Sequence, residues 1–188
     1  MEKGKVILLG GCPRTGKTTL SVKLIKSGKR FSRISLDMLG EALNVGFPDP
    51  NDEFSNNFEF VKIILEKSLA DAEIYGINTV FDFCSYDFTL ENIDKLPFKD
   101  KLDMYFFGFP DITVEEIKYN IRHYSEPTDW IYHVDDDYLE SVAKRIYDFN
   151  KKLKEHCEKN NYKFINTGVG EERNIVLTSL YDEIIKKF

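Results

Sequence analysis

Cysteine is too sparse in this chain to build a covalent framework. The three present, Cys12, Cys84 and Cys157, are odd in number, form no C-x-x-C and match no zinc-ligand spacing. That excludes a disulfide scaffold and predicts a reducing compartment, with the cytoplasm as the expected location. Long apolar runs are also missing. The run at 6–9 is too short for a membrane span or a signal-peptide core, so no membrane association is expected. Positive charge is in deficit, with 26 Lys and Arg against 32 Asp and Glu and a formal net charge of −6. A basic face for a nucleic-acid backbone is therefore not expected, although a phosphate-handling cleft can still be locally basic. The histidines, His123, His133 and His156, are scattered without metal-ligand spacing.

What remains is the composition of a folded globular chain, 42% hydrophobic and 31% charged over 188 residues. No repeat, low-complexity tract or linker interrupts it, so residues 1–188 read as a single domain. Short apolar runs at 6–9, 33–36, 79–83, 102–107 and 163–165 alternate with segments of helical period. One helix starts at Gly16 or Lys17 and turns Leu20, Leu24 and Ile25 inward. A second runs over 56–75, and a third starts at a capping box of Thr113 and Glu116. A looser box of Asp137 and Glu140 opens the longest helix, with Val142, Ile146, Phe149, Leu153 and Cys157 in one stripe. A last helix covers 173–187. The pattern predicts a three-layer αβα fold around a mostly parallel sheet of about five strands. Two polar, turn-rich stretches break the alternation: an acceptor-side loop at about 44–56 and a lid segment at about 120–137.

The sharpest signal is Gly11-Cys-Pro-Arg-Thr-Gly16-Lys17-Thr18, which satisfies G-x-x-x-x-G-K-[ST] between an apolar strand and a helix. Glycines let successive backbone N–H groups turn towards one anion, and the helix N-terminus adds its dipole. Gly11, Cys12, Pro13, Arg14, Thr15, Gly16, Lys17, Thr18 and Thr19 are thus the expected triphosphate cradle. Lys17 is placed to reach the β- and γ-phosphates, and the Thr18 hydroxyl to ligate Mg²⁺. The N-K-x-D guanine reader is missing, since 150–153 reads Asn-Lys-Lys-Leu. The strand ending at Asp82 continues into Phe83 and Cys84, so no second carboxylate stands ready to activate water. Hydrolysis as the principal activity is disfavoured.

Five segments together resemble the adenylate kinase-like group of P-loop nucleotide and small-molecule kinases: GGCPRTGKTTL, ISLD, GINTVFDF, MYFFGFPDITVEEIKYNIR and KFINTG. The resemblance implies ATP and Mg²⁺ as cofactors and transfer of the γ-phosphoryl group to a small acceptor bearing a hydroxyl or phosphate. It implies that Asp37 orients or deprotonates the acceptor, the other reading being a helix N-cap. Asp82 would stand near the metal or the acceptor. Arg122 would close from the lid on the transferring group, the other reading being a solvated helix-end cation. Adenine would be read by backbone groups near 166–168. The D-G-[FY]-P-R segment of adenylate kinases, the Asp-Arg-Tyr of thymidylate kinases and the glycine triplet of shikimate kinases are all missing, so none of those acceptors is indicated. Cys12 in the loop is a candidate for oxidation. A regulatory nucleotide-binding protein without turnover and a polynucleotide 5′-hydroxyl kinase are the rival readings.

Overall fold

The computed structural model describes residues 3–39, 58–84, 90–127 and 129–188. The acceptor-side loop expected at 44–56 and most of the stretch after Cys84 lie outside them.

Six consecutive buried residues, VILLGG, form β1 (Val6–Gly11). A strand apolar on both faces belongs in the middle of a parallel sheet covered on both sides. It lies there, flanked by β3 (Asn78–Asp82) and β4 (Leu102–Gly108), with β2 (Phe31–Ser35) and β5 (Lys163–Asn166) at the edges. The order is β2-β3-β1-β4-β5 and every ladder is parallel, so the sheet is wholly rather than mostly parallel.

Alternation along β1 sorts the two cores. Val6 and Leu8 face the layer built from α2 (Phe58–Tyr75), α3 (Leu90–Asp94), α4 (Val114–Tyr124) and α5 (Asp136–Asn160). Ile7 and Leu9 face α1 (Lys17–Ile25) and α6 (Gly170–Ile185). Full burial of each such side chain stabilises by roughly 1.5–3 kcal/mol. On α1 only Leu20 and Leu24 turn inward as expected. Ile25 is 39% exposed, because the apolar stripe of a nine-residue helix is too narrow to include it.

The capping box at Thr113 forms as expected, with Thr113 Oγ1 accepting from Glu116 N at 3.2 Å and Glu116 Oε2 accepting from Thr113 N at 2.8 Å. Those bonds to the charged form hold the Glu116 carboxyl below its usual range. The box expected at Asp137 and Glu140 does not form. Asp135 caps α5 by accepting from Tyr138 N at 2.7 Å, and Glu140 instead pairs with Lys118 and Lys144. β2 begins two residues earlier than its apolar run and ends one residue before the run does, because Leu36 already starts a helical turn over 36–39. The short α3 and the 3-10 turns at Lys99–Lys101 and Trp130–His133 have too few residues to show a period and were not expected.

One buried amide fastens α5 to the sheet. Asn150 Oδ1 accepts from Phe109 N at 2.8 Å and from Cys12 Sγ at 3.1 Å, while its Nδ2 donates to Ile146 O at 3.0 Å. The residue that fails as a guanine reader is thus a tie between the phosphate loop, the end of β4 and the long helix. Asn150→Leu leaves the Phe109 N–H buried without an acceptor, which should cost about 1–3 kcal/mol. The urea midpoint should fall with an unchanged m-value; an unmoved midpoint would refute the tie.

Candidate nucleotide site

The loop between β1 and α1 leaves the sheet through a tight gap. Gly11 has φ 117°, and a Cβ there would stand 2.2 Å from Phe107 O. The next residue donates Cys12 N to Phe107 O at 2.8 Å, so this amide serves the β1–β4 ladder rather than the cradle. Arg14 (φ 64°) and Gly16 (φ 87°) then alternate with neighbours outside the positive-φ region, a backbone pattern suited to turning successive N–H groups to one side. Thr15 Oγ1 closes the curl by donating to Cys12 O at 2.8 Å. The first turn of α1 presents N–H groups that have no acceptor within the helix. Lys17, 8% exposed, folds its ammonium back onto the carbonyls of Gly11 and Cys12. That is a loop shaped for an anion, with its lysine held inside.

Asp82 ends β3 directly beside this loop, because the register sets it against Leu9 of β1 and Ser35 of β2. It is 3% exposed. Its Oδ2 accepts from Thr18 Oγ1 at 3.1 Å and from the Arg33 guanidinium at 2.8 Å. Ser21 Oγ lies 3.3 Å away as well, but its single proton has a nearer acceptor in Thr18 O at 2.9 Å. Arg33 Nε donates to that same Ser21 oxygen at 3.0 Å. Asp82 Oδ1 is buried and makes no hydrogen bond among the described residues. A neutral hydroxyl and an unpartnered carboxylate oxygen are hard donors of the kind Mg²⁺ takes, together with phosphate oxygens. The site therefore fits that metal. Among the described residues no three His, Cys, Asp or Glu side chains converge into a cage of their own.

Asp37 sits across the mouth. Its Oδ1 accepts from Cys84 N at 3.1 Å, which anchors the carboxylate at the C-terminal end of β3. Ser35, whose Oγ accepts from Met38 N at 3.4 Å, takes the capping position instead. The N-cap alternative for Asp37 therefore falls.

Arg122 is placed differently from the catalytic expectation. Its guanidinium donates to Tyr132 O at 3.0 Å, Val134 O at 2.7 Å and Asp136 Oδ1 at 3.0 Å, stapling the end of α4 to the 3-10 turn and to α5. No hydrogen bond or ion pair joins it to the phosphate loop among the described residues. The segment expected as a lid meets the loop through Arg14, whose two terminal nitrogens each stand 3.2 Å from Asp129 Oδ2.

Two arginines at the site were missed in the sequence. Arg33 lies in the partly exposed edge strand β2, on the same face as the buried Phe31 two positions earlier. A charge there, packed against α1, was the available signal. Arg173 donates to Arg14 O at 2.9 Å and so braces the loop from α6, with nothing in the sequence to mark it.

No family model matches the chain, and no curated protein matches it. Solved structures do match over nearly its whole length. Shikimate kinase from Acinetobacter baumannii, in complex with shikimate, superposes with a TM-score of 0.58 at 17% identity, covering 100% of this chain and 97% of that one. The tunicamycin resistance protein of Deinococcus radiodurans gives 0.57 at 12% identity, covering 97% and 96%. A gluconokinase from Sinorhizobium meliloti 1021 gives 0.51 at 13% identity, covering 99% and 98%. The chain has the fold of the P-loop kinases. At such identities the likeness is one of architecture. The shikimate kinase superposes although the glycine triplet of its family is missing here.

Within the kinase fold the expected oxidation of Cys12 is corrected. The residue is fully buried, and burial pushes its thiol well above the usual range, with Lys17 pulling weakly the other way. Cys157 is likewise pushed up to about 12 by burial. Iodoacetamide should therefore label the partly exposed Cys84 well before either of the others. Peptide mass spectrometry on the folded chain checks this, and labelling of Cys12 at the rate of Cys84 would contradict it.

Proposed function

We propose that this chain is an ATP- and Mg²⁺-dependent kinase of a small molecule carrying a hydroxyl or phosphate. The observation that carries the reading is the hydrogen bond from Thr18 Oγ1 to Asp82 Oδ2. It brings the loop hydroxyl and the strand-end carboxylate together beside the phosphate cradle, while the position after Asp82 is the buried Phe83 rather than a second acid. The full-length likeness to kinases of shikimate and gluconate supports the same reaction class.

In this reading the loop amides from Arg14 to Thr19, beyond the Cys12 amide that Phe107 O takes, and the ammonium of Lys17 hold the triphosphate. Thr18 and Asp82 would hold the metal, which would supply positive charge to neutralise the phosphates. Asp37, fixed by Cys84 N–H, takes the proton of the acceptor hydroxyl. The acceptor oxygen bonds to the γ-phosphorus as the bond from that phosphorus to the β-phosphate oxygen breaks, and ADP leaves. Positioning and charge neutralisation supply most of the rate. The segment at about 120–137 acts as the lid of a single domain. Arg122 gives that lid its shape and would reach the phosphoryl group only by releasing three bonds, so Arg14 and Lys17 are the nearer cations. Among the described residues no helix is long and apolar enough to cross a membrane. A reducing cytoplasm remains the setting proposed from the cysteines.

Three measurements test the reading. Lys17→Ala should abolish binding of a fluorescent ATP analogue, and retained affinity would overturn the nucleotide site. A panel of small hydroxyl compounds and nucleotides should contain one that raises ADP release above the basal rate. With that acceptor, Asp37→Asn should lower kcat about 10²–10⁴-fold while nucleotide affinity stays within a few-fold. An unchanged kcat would remove Asp37 from the proton transfer.

A further inference from the structure

The metal pocket already contains a cation of its own. Arg33 reaches from the edge strand β2 to Asp82 Oδ2 at 2.8 Å, and this ion pair is largely shielded from water. Its Nε holds the Ser21 hydroxyl at 3.0 Å, so the guanidinium is fixed at two points and aimed at the carboxylate. Among the described residues the charged groups that meet inside the pocket are two cations, Lys17 and Arg33, and the carboxylate of Asp82, with Asp37 engaged by Cys84 N at its mouth. Thr18 and Ser21 contribute neutral hydroxyls. A free divalent cation arriving here meets no net attraction, although Asp82 Oδ1 and the Thr18 oxygen are donors of the right kind. A triphosphate carries enough negative charge to reverse that balance.

We propose that Arg33 is the resident counter-cation of this pocket, a positioning residue that neutralises Asp82 and so makes metal entry conditional on the nucleotide. The inference rests on the kinase reading of the site. Mg²⁺ binds weakly wherever few carboxylates hold it and relies on substrate phosphates for the rest of its shell. Arg33 extends that dependence by cancelling the Asp82 carboxylate, and its two hydrogen bonds hold that carboxylate in place. A metal that enters only with the triphosphate cannot occupy the pocket ahead of the phosphates.

The test uses Mn²⁺ alone, followed by paramagnetic resonance of the free ion, on the nucleotide-free full chain. Wild type should show no saturable binding tighter than about 1 mM. Arg33→Gln should bind Mn²⁺ at least about tenfold more tightly without nucleotide, because the carboxylate is then uncancelled. Arg33→Lys, which restores the charge, should return to wild-type behaviour, and Asp82→Asn in the Arg33→Gln background should erase the gain. Circular dichroism confirms that each variant is folded. Tight Mn²⁺ binding by nucleotide-free wild type would overturn the proposal whatever the variants do. So would a folded Arg33→Gln chain with wild-type Mn²⁺ affinity. Binding of a fluorescent ATP analogue to wild type in the presence of Mg²⁺ separates the two claims: failure there sinks the nucleotide reading, while the nucleotide-free Mn²⁺ titration still reports on Arg33.

Discussion

The close approach of Gly11 to β4 governs where everything else at the site can stand. With a backbone carbonyl 2.2 Å from the position of any Cβ, the chain must pass this point as glycine. The following amide is then consumed by Phe107 O. These two facts fix the exit of the loop at the centre of a parallel sheet, at the carboxyl ends of its strands, where α/β folds bind ligands. From there the left-handed turns at Arg14 and Gly16 start α1 with its N-terminus aimed into the cleft. Thr18 and Ser21 follow on the side of α1 that meets the end of β3.

Parallel register converts that exit into chemistry. β3 lies next to β1 with Asp82 against Leu9, so a carboxylate far along the chain arrives beside the loop hydroxyl. β2 lies outside β3, with Ser35 against Asp82, and this brings both Arg33 and Asp37 to the same end of the sheet. They serve opposite sides of it. Arg33 reaches inward to Asp82, while Asp37 reaches the first backbone amide of the segment after Phe83. The edge strand thus contributes one charge of each sign to a site centred two strands away.

How much of this was legible in the sequence follows from how local each signal is. The phosphate loop carries its meaning in eight adjacent residues, and the capping box at Thr113 in four, so both could be read directly. The buried strands show in their apolar runs, although β2 was misplaced because Leu36 is as apolar as a strand residue while already helical. Contacts across the chain left no such trace. Arg33 meets Asp82 from 49 positions away and Arg173 meets Arg14 from 159 away; a charge on the inward face of a strand hints at a partner for Arg33 without naming it, and nothing marks Arg173. Arg122 illustrates the converse. A helix-end arginine before a polar loop suits a lid cation, yet the carbonyls of Tyr132 and Val134 take its donors first. Cys12 was misjudged for a related reason: its place in the motif is local, but its burial beneath Asn150 is set by a helix that arrives much later.

The pairing of Arg14 with Asp129 gives the fold a joint between two parts that sequence distance keeps separate. One carboxylate oxygen receives both guanidinium nitrogens and also the Glu126 amide, so among the described residues a partly exposed ion pair ties the turn before the 3-10 segment to the phosphate loop. Such a pair is worth at most about 1 kcal/mol and weakens as ions accumulate around it. Rising ionic strength therefore weakens this contact between the phosphate loop and the turn that carries Asp129, while the buried framework of β1, Asp82 and Asn150 stays as it is.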